Sequence, residues 1–125
     1  MADKKRLLLV EDEVDMQEMV RMRLEASGYE VLVASDGQEA LDKAHQEKPD
    51  LIILDIMLPK MDGYKVCGLL KADARYNKIP IIMFSARAQD QDKVTAQEVG
   101  ANDYICKPFN PKELLEKISN LLQNR

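Results

Sequence analysis

The chain has 125 residues, of which 46% are hydrophobic and 32% are charged, and its formal net charge at pH 7 is -4. These values are typical of one soluble globular domain, residues 1–125, and the negative balance argues against direct nucleic-acid binding by this domain. The apolar run that follows the basic N-terminus, Leu7–Val10, is too short for a signal peptide or a membrane span, and two cysteines are too few for a disulfide framework or a zinc cluster. We therefore expect a cytoplasmic protein that does not contact a membrane.

Strand-like and helix-like segments alternate along the chain. Short apolar runs predict five strands: Leu7–Val10, Val31–Ala34, Leu51–Leu54, Ile79–Phe84 and Tyr104–Cys106. Amphipathic stretches between them predict five helices, of which the first ends at Gly28, the second ends before Pro49, and the last three span about 64–74, 90–99 and 111–123. The residues expected to face the core are Met16, Met19, Val20 and Leu24 in the first helix, Ala40, Leu41 and Ala44 in the second, Val66 and Leu70 in the third, Val94, Ala96 and Val99 in the fourth, and Leu114, Leu115, Ile118, Leu121 and Leu122 in the fifth.

Regular alternation of strand and helix predicts an α/β fold. Each parallel strand pair needs a crossover helix, so the sheet is expected to be covered by helices on both faces. The third strand, Leu51–Leu54, is fully apolar and leads directly to Asp55, after which Pro59, Asp62 and Gly63 predict a turn. Ligands of open α/β sheets bind outside the carboxyl ends of the strands, which makes Asp55 a candidate site residue.

Polar side chains follow four of the predicted strands. The first strand is followed by Glu11 and Asp12, the third by Asp55, the fourth by Ser85 and the fifth by Lys107. If the first and third strands are neighbours, three carboxylates converge and repel one another, so the cluster needs a compensating cation. Oxygen ligands of this kind suit Mg²⁺ or Mn²⁺, and a carboxylate nucleophile with Mg²⁺, a lysine and a hydroxyl is the equipment of phosphoryl transfer to an aspartate.

Three segments, Leu8–Glu13, Leu54–Gly63 and Gly100–Phe109, closely resemble the receiver domain of two-component response regulators. The resemblance covers essentially the whole chain, and the motifs occur in the family's order and spacing. It implies a flavodoxin-like (βα)5 fold with a five-stranded parallel sheet of order 2-1-3-4-5. It also implies a signalling phosphoprotein of a phosphorelay that catalyses its own phosphorylation and dephosphorylation, rather than a metabolic enzyme.

The resemblance assigns a role to each residue of the acidic group. Asp55 corresponds to the phosphoacceptor, and the phosphoryl donor would be a sensor histidine kinase, a phosphotransfer protein or a small phosphodonor. Asp12 and Asp55 would bind Mg²⁺ directly, Glu11 through water and Met57 through its backbone carbonyl. Lys107 would pair with the phosphoryl group.

A second set of residues corresponds to the family's switch. Ser85 would hydrogen-bond the phosphoryl group, and Tyr104 would turn inward as Ser85 moves. Met57 and Arg87 occupy positions that tune the phosphate lifetime in this family, although both are also compatible with ordinary loop residues. The resemblance further implies a cis peptide bond between Lys107 and Pro108.

The expected output of this switch is a changed surface on the fourth helix, fifth strand and fifth helix. The charged residues that would pair two receivers through this face are Lys93, Asp103, Glu113 and Lys117. Homodimerisation through this face is one alternative, and a solvated helix face or a heterologous partner surface is the other. Lys117 and Asn102 replace an arginine and an aspartate that are frequent in the family, which weakens the case for homodimerisation because lysine lacks the bidentate geometry of arginine. The chain is expected either to signal by binding a partner or to be the receiver of a longer regulator. The alternative function is a pseudo-receiver that acts as an interaction module without phosphorylation.

Overall fold

Residues 4–86 and 90–123 are described by the structure, which is a computed structural model. Strands and helices alternate through this part of the chain. The strands are β1 (Arg6–Val10), β2 (Glu30–Ala34), β3 (Leu51–Asp55), β4 (Ile81–Ser85) and β5 (Asp103–Cys106). The helices are α1 (Val14–Ala26), α2 (Gly37–Glu47), α3 (Gly63–Ala72), α4 (Asp90–Glu98) and α5 (Pro111–Gln123). None of the helices in the described ranges is long and apolar enough to cross a bilayer.

The sheet is parallel and has the order β2-β1-β3-β4-β5, which confirms the predicted fold. In the register of the central strands, Leu8 of β1 lies between Leu32 of β2 and Ile52 of β3. The chain therefore reverses its direction of winding between β1 and β3, and the carboxyl ends of these two strands lie side by side. A reversal of this kind is where open α/β sheets place their ligand sites.

Successive residues of each strand alternate between the two faces of the sheet and supply two apolar layers. Ile52 and Leu54 of β3 belong to the layer covered by α2, α3 and α4, whereas Leu51 and Ile53 belong to the layer covered by α1 and α5. All four side chains are fully buried. Because β3 is covered on both faces, its apolar run shows no alternation, as the sequence suggested.

Local polar residues start two of the helices. The side chain of Asp36 accepts a hydrogen bond from the Glu39 N–H at the start of α2, and that of Asp62 accepts one from the Lys65 N–H at the start of α3. The strand β4 begins at Ile81, two residues later than expected, because Pro80 has no N–H to contribute to the ladder.

Two core assignments were wrong. Met19 is 54% exposed, since it lies about 100° around α1 from the inward-facing Val20. Val94 is also exposed: it precedes the buried Ala96 by two residues, which places it on the far side of α4. The inner side of α4 carries Asp92 instead, so this helix contributes less apolar surface to the core than the sequence suggested.

Candidate functional site

Three carboxylates meet at the carboxyl ends of β1 and β3. Glu11, Asp12 and Asp55 each offer an oxygen to a group whose atoms all lie within 4.8 Å of one another. Glu11 and Asp55 are buried and Asp12 is exposed. The predicted convergence is therefore present, because the sheet order makes β1 and β3 neighbours.

Both oxygens of Asp55 are held by hydrogen bonds. Oδ2 accepts one from the Lys107 Nζ at 3.0 Å, and Oδ1 accepts one from the Met57 N–H at 3.1 Å. The chain after Asp55 turns back sharply, and the Gly63 N–H donates to the Ile56 carbonyl at 2.8 Å. A Cβ at Gly63 would lie 2.2 Å from the carbonyl oxygen of Asp55, so only glycine allows this turn to close.

The loop between β3 and α3 is also packed against the start of α2. A Cβ at Gly37 would lie 2.3 Å from the carbonyl oxygen of Met61, and the Gly37 N–H donates to the Pro59 carbonyl at 3.4 Å. Two glycines at close approaches thus hold the backbone of this loop, which carries the Met57 carbonyl. The Met57 side chain points away into solvent and is exposed.

Lys107 places the cation of the cluster directly after β5. Its Nζ donates to Glu11 Oε1 at 2.6 Å and to Asp55 Oδ2 at 3.0 Å, and it lies 4.7 Å from the centre of the Phe84 ring. Burial alone would lower the pKa of Lys107, but the hydrogen bonds to the two carboxylates outweigh it and the pKa is raised. The Lys107–Pro108 peptide bond is cis, as predicted.

Glu11 is restrained at every polar group. Its N–H donates to the Ala34 carbonyl at 3.0 Å, its Oε2 accepts from the Glu13 N–H at 3.0 Å, and its Oε1 accepts from Lys107. Its backbone carbonyl accepts a hydrogen bond from the side-chain amide of Gln17 at 2.9 Å. Gln17 could not be identified from the sequence, because nothing in the helical pattern marks one polar residue of α1 as a neighbour of the acidic loop.

Ser85 lies at the carboxyl end of β4, next to the register partner of Asp55, whereas Tyr104 lies further from that end. Ser85 ends β4, is buried, and accepts a hydrogen bond from the Lys107 N–H at its carbonyl. Tyr104 pairs with Met83, two positions before the end of β4, and its half-buried ring packs against the layer under α2, α3 and α4. It also lines a surface cavity of about 290 Å³ beside Ala96 of α4. Arg87 lies outside the described residues.

The four residues of the predicted pairing face lie on or beside α4, β5 and α5, but two of them contact each other within the chain. The Lys117 Nζ lies 3.0 Å from Asp103 Oδ1. Lys93 and Glu113 are exposed. Because surface pairs of this kind are weak, Asp103 and Lys117 can exchange partners at small cost.

The acidic group fits a small divalent cation. Its donors are hard oxygens, Lys107 contacts two of its three carboxylates, and the exposed Asp12 leaves one side open to water or a phosphate oxygen. Mg²⁺ prefers this combination of one or two carboxylates, water and phosphate.

Comparisons with known proteins agree with this geometry. Residues 7–119 match the family model described as the response regulator receiver domain. The chain is 47% identical over 120 residues to a probable transcriptional regulator, ycf27, of Guillardia theta, and 46% identical over 119 residues to the alkaline phosphatase synthesis transcriptional regulatory protein PhoP of Bacillus subtilis. These matches cover 96% and 95% of this chain but 46% and 49% of the relatives, so the chain spans about half of their length.

Similar solved structures include a response regulator of Chloroflexus aurantiacus, with a TM-score of 0.93 and 37% identity over 97% of this chain and 99% of that chain. The receiver domain of a sensor histidine kinase from Pseudomonas aeruginosa, described with a magnesium ion coordinated in its active-site cleft, gives a TM-score of 0.90 and 31% identity over 97% and 99% of the two chains. The family match over most of the chain, together with the acidic group at the β1 and β3 ends, shows that this chain belongs to the response regulator receiver domains of two-component signalling.

Proposed function

We propose that this chain accepts a phosphoryl group on Asp55 from a histidine kinase, a phosphotransfer protein or a small phosphodonor, in a reaction that depends on Mg²⁺. The observation that carries the proposal is the placement of Asp55. Its buried carboxylate lies at the end of the central strand, hydrogen-bonded to Lys107 and grouped with Glu11 and Asp12.

The chemistry is an in-line displacement. A carboxylate oxygen of Asp55 attacks the phosphorus atom, an O–P bond to Asp55 forms, and the bond from phosphorus to the donor's imidazole nitrogen, or to the acetate oxygen of acetyl phosphate, breaks with its electron pair leaving on the donor. The Lys107 ammonium is already hydrogen-bonded to both Glu11 and Asp55. It can therefore shift from a carboxylate oxygen to a phosphoryl oxygen without a large movement.

Asp12 and Asp55 would hold Mg²⁺ through their carboxylates, Met57 through its backbone carbonyl and Glu11 through water. The ion would neutralise charge on the phosphoryl oxygens during transfer. Glu11 is well suited to an indirect role, because both of its carboxylate oxygens already accept hydrogen bonds, from Lys107 and from the Glu13 N–H.

The switch would begin at Ser85 and end on the face formed by α4, β5 and α5. The buried Ser85 is one residue along the sheet edge from Asp55, whose register partner is Phe84. A phosphoryl group on Asp55 would attract the Ser85 hydroxyl and the Lys107 ammonium, and Tyr104 would follow toward the space left by Ser85. Weak packing of α4 supports a mobile element there, since Ala96 is its apolar residue buried in the core. Met57 and Arg87 would tune the lifetime of the phosphate.

The partners follow from this mechanism. A histidine kinase or phosphotransfer protein would supply the phosphoryl group, and the switched face would control an output region, a partner protein or self-association. The relatives, of which this chain matches about half the length, are described as transcriptional regulators. DNA contact would therefore be made by another part of a regulator and not by this acidic domain. The site of action would be the cytoplasm.

The experiment that tests the proposal is labelling by acetyl phosphate, measured by intact-protein mass spectrometry with Mg²⁺ or with EDTA. We expect the wild type to gain one phosphoryl group only with Mg²⁺ and Asp55→Asn to gain none. Asp42→Asn is the matched control, since Asp42 is exposed on α2; it should label like the wild type. A wild type that no donor labels would overturn the proposal in favour of the pseudo-receiver.

Size-exclusion chromatography of the same samples separates the possible outputs. A phosphorylation-dependent shift in elution that is lost in Glu113→Ala would support self-association through the face that contains Lys93, Asp103, Glu113 and Lys117. Labelling without a shift would support control of a separate partner or output region.

A further inference from the structure

The side-chain amide of Gln17 connects α1 to the ends of two strands. Its Nε2 donates to the Glu11 carbonyl at 2.9 Å and lies 3.5 Å from the Ala34 carbonyl and 3.4 Å from Ser35 Oγ. An amide nitrogen has two hydrogens, so one can serve β1 and the other the end of β2. Ser35, which follows the edge strand β2, is in turn linked to α2, because its N–H donates to Glu39 Oε1 at 2.6 Å.

The hydrogen bond from Gln17 to the Glu11 carbonyl lies directly before Asp12 in the chain. Asp12 supplies one of the three carboxylates of the acidic group, yet it is the exposed member, and Glu11 is the one that the surrounding groups restrain. The carbonyl of the peptide group between Glu11 and Asp12 accepts the hydrogen bond from the Gln17 amide. Fixing that peptide plane fixes the direction in which the chain leaves β1 and therefore where Asp12 presents its carboxylate.

We propose that Gln17 is a positioning residue for the metal-binding carboxylates, acting through the backbone carbonyl of Glu11 to hold Asp12 within the acidic group. The inference rests on the proposed function, because it gives Asp12 a divalent cation to bind. Gln17 hydrogen-bonds backbone and hydroxyl groups rather than a carboxylate of the acidic group, so it would act on the cation only through the backbone. Its loss should therefore weaken cation binding while leaving the phosphoryl-transfer step of the loaded protein intact.

The test compares the wild type with Gln17→Met, which keeps the length and helix propensity of the side chain but removes the amide. Gln38→Met is the matched control, because Gln38 is an exposed helical glutamine whose amide donates to Asp42 and lies on α2. Binding of Mn²⁺ alone is measured by the loss of the free-ion signal in electron paramagnetic resonance. Labelling by acetyl phosphate is then measured across a range of Mg²⁺ concentrations, and urea unfolding in EDTA reports the folded fraction.

We expect Gln17→Met to raise the Kd for Mn²⁺ roughly tenfold, the scale seen when an outer contact of a metal ligand is removed. The Mg²⁺ concentration for half-maximal labelling should rise by the same factor, while the rate at saturating Mg²⁺ stays within about twofold of wild type, and Gln38→Met should change neither value. A Kd unchanged in Gln17→Met would overturn the inference, as would an equal fall in labelling rate at every Mg²⁺ concentration.

Failure of the proposed function gives a different result. A wild type that binds Mn²⁺ but is not labelled contradicts phosphotransfer, and the Mn²⁺ affinities of the variants still decide the role of Gln17. A wild type that binds no Mn²⁺ overturns both proposals.

Discussion

The two ends of the sheet carry similar charges and use them differently. At the amino end, Arg6 binds the carboxylates of Glu30 and Glu47 through its guanidinium, and its backbone N–H donates to Asp50 Oδ2. At the carboxyl end, Lys107 faces the acidic group of the site. Each end thus places three carboxylates around one basic residue.

Burial and mutual distance separate a structural network from a site. The side chains of Glu30 and Glu47 are 54% and 40% exposed, so water screens them, and the guanidinium offers five donors in fixed directions. The side chains of Glu11 and Asp55 are 1% and 5% exposed. Their oxygens lie within 4.8 Å of each other and of an Asp12 oxygen. Among the described residues Lys107 is the cation hydrogen-bonded to this group, so three close carboxylates would still be stabilised by a further positive charge.

Removing Lys107, the cation that is hydrogen-bonded to the acidic group in the described part of the chain, should give the largest effect. Lys107→Met would leave Glu11 and Asp55 buried without a counter-charge, and we expect a loss of about 3 kcal/mol in the free energy of unfolding at pH 7 in EDTA, measured with urea. The control is Lys112→Met at the exposed start of α5. A loss no larger than that of the control would mean that Lys107 does not stabilise the buried carboxylates of Glu11 and Asp55.

Adding a cation should stabilise the carboxyl end alone. At free Mg²⁺ a hundredfold above its Kd, the free energy of unfolding of the wild type should rise by about 2.7 kcal/mol, as linkage requires for a ligand of the folded state. Asp12→Asn should remove most of this gain, whereas Asp50→Asn at the amino end should retain it. Equal Mg²⁺-dependent gains in the free energy of unfolding of both variants would mean that the carboxyl end is not the preferred cation site.

Removing the cation of the amino end should cost less. Arg6→Met would break exposed ion pairs and the hydrogen bond from the guanidinium to the Glu47 carbonyl, and we expect a loss of about 1 kcal/mol. The loss should shrink in 1 M NaCl, about the salt at which surface pairs are screened. Urea unfolding at low and high salt measures both values; a loss as large as that of Lys107→Met would contradict the comparison.

Cys67 gives the limiting case of an isolated buried acid. Burial raises the pKa of its thiol to about 11, against which the nearby Lys71 ammonium acts only weakly. The unfolded chain releases this proton above about pH 9 while the folded protein keeps it, so stability should fall as the pH rises from 9 to 11. With an ordinary thiol pKa of 9.0 in the unfolded chain, Cys67 should lower the free energy of unfolding by about 0.8 kcal/mol at pH 9.5 relative to pH 7, and urea unfolding of Cys67→Ala should lack this part of the loss.

Much of this arrangement is predictable from the sequence because parallel topology dictates it. Once β1 and β3 are neighbours, Glu11, Asp12 and Asp55 must converge, and Lys107 directly follows the last strand at the same edge of the sheet. The errors have equally local causes. Met19 and Val94 are apolar residues on the wrong side of their helices, and an apolar side chain can stay exposed at little cost.

The supporting contacts could not be predicted in the same way. Gln17 acts through a backbone carbonyl, so its role depends on where α1 begins relative to β1 and on no residue pattern. The close approach of Met61 to Gly37 was equally unpredictable, because the pair Asp36-Gly37 predicts a turn before a helix but no contact with a distant loop. Such contacts require the loops to be placed to within an ångström, which periodicity does not supply.

The packing of the loop between β3 and α3 has a consequence for which of its positions tolerate substitution. Its backbone is set by contacts at Gly37 and Gly63, while its outer side chains, Met57 among them, meet solvent. The backbone of this loop is fixed by contacts that do not involve the exposed side chains. A substitution of an exposed side chain can therefore leave the Met57 carbonyl in place. Substitutions at Met57 should accordingly leave the free energy of unfolding within about 0.5 kcal/mol of wild type, which urea unfolding would measure.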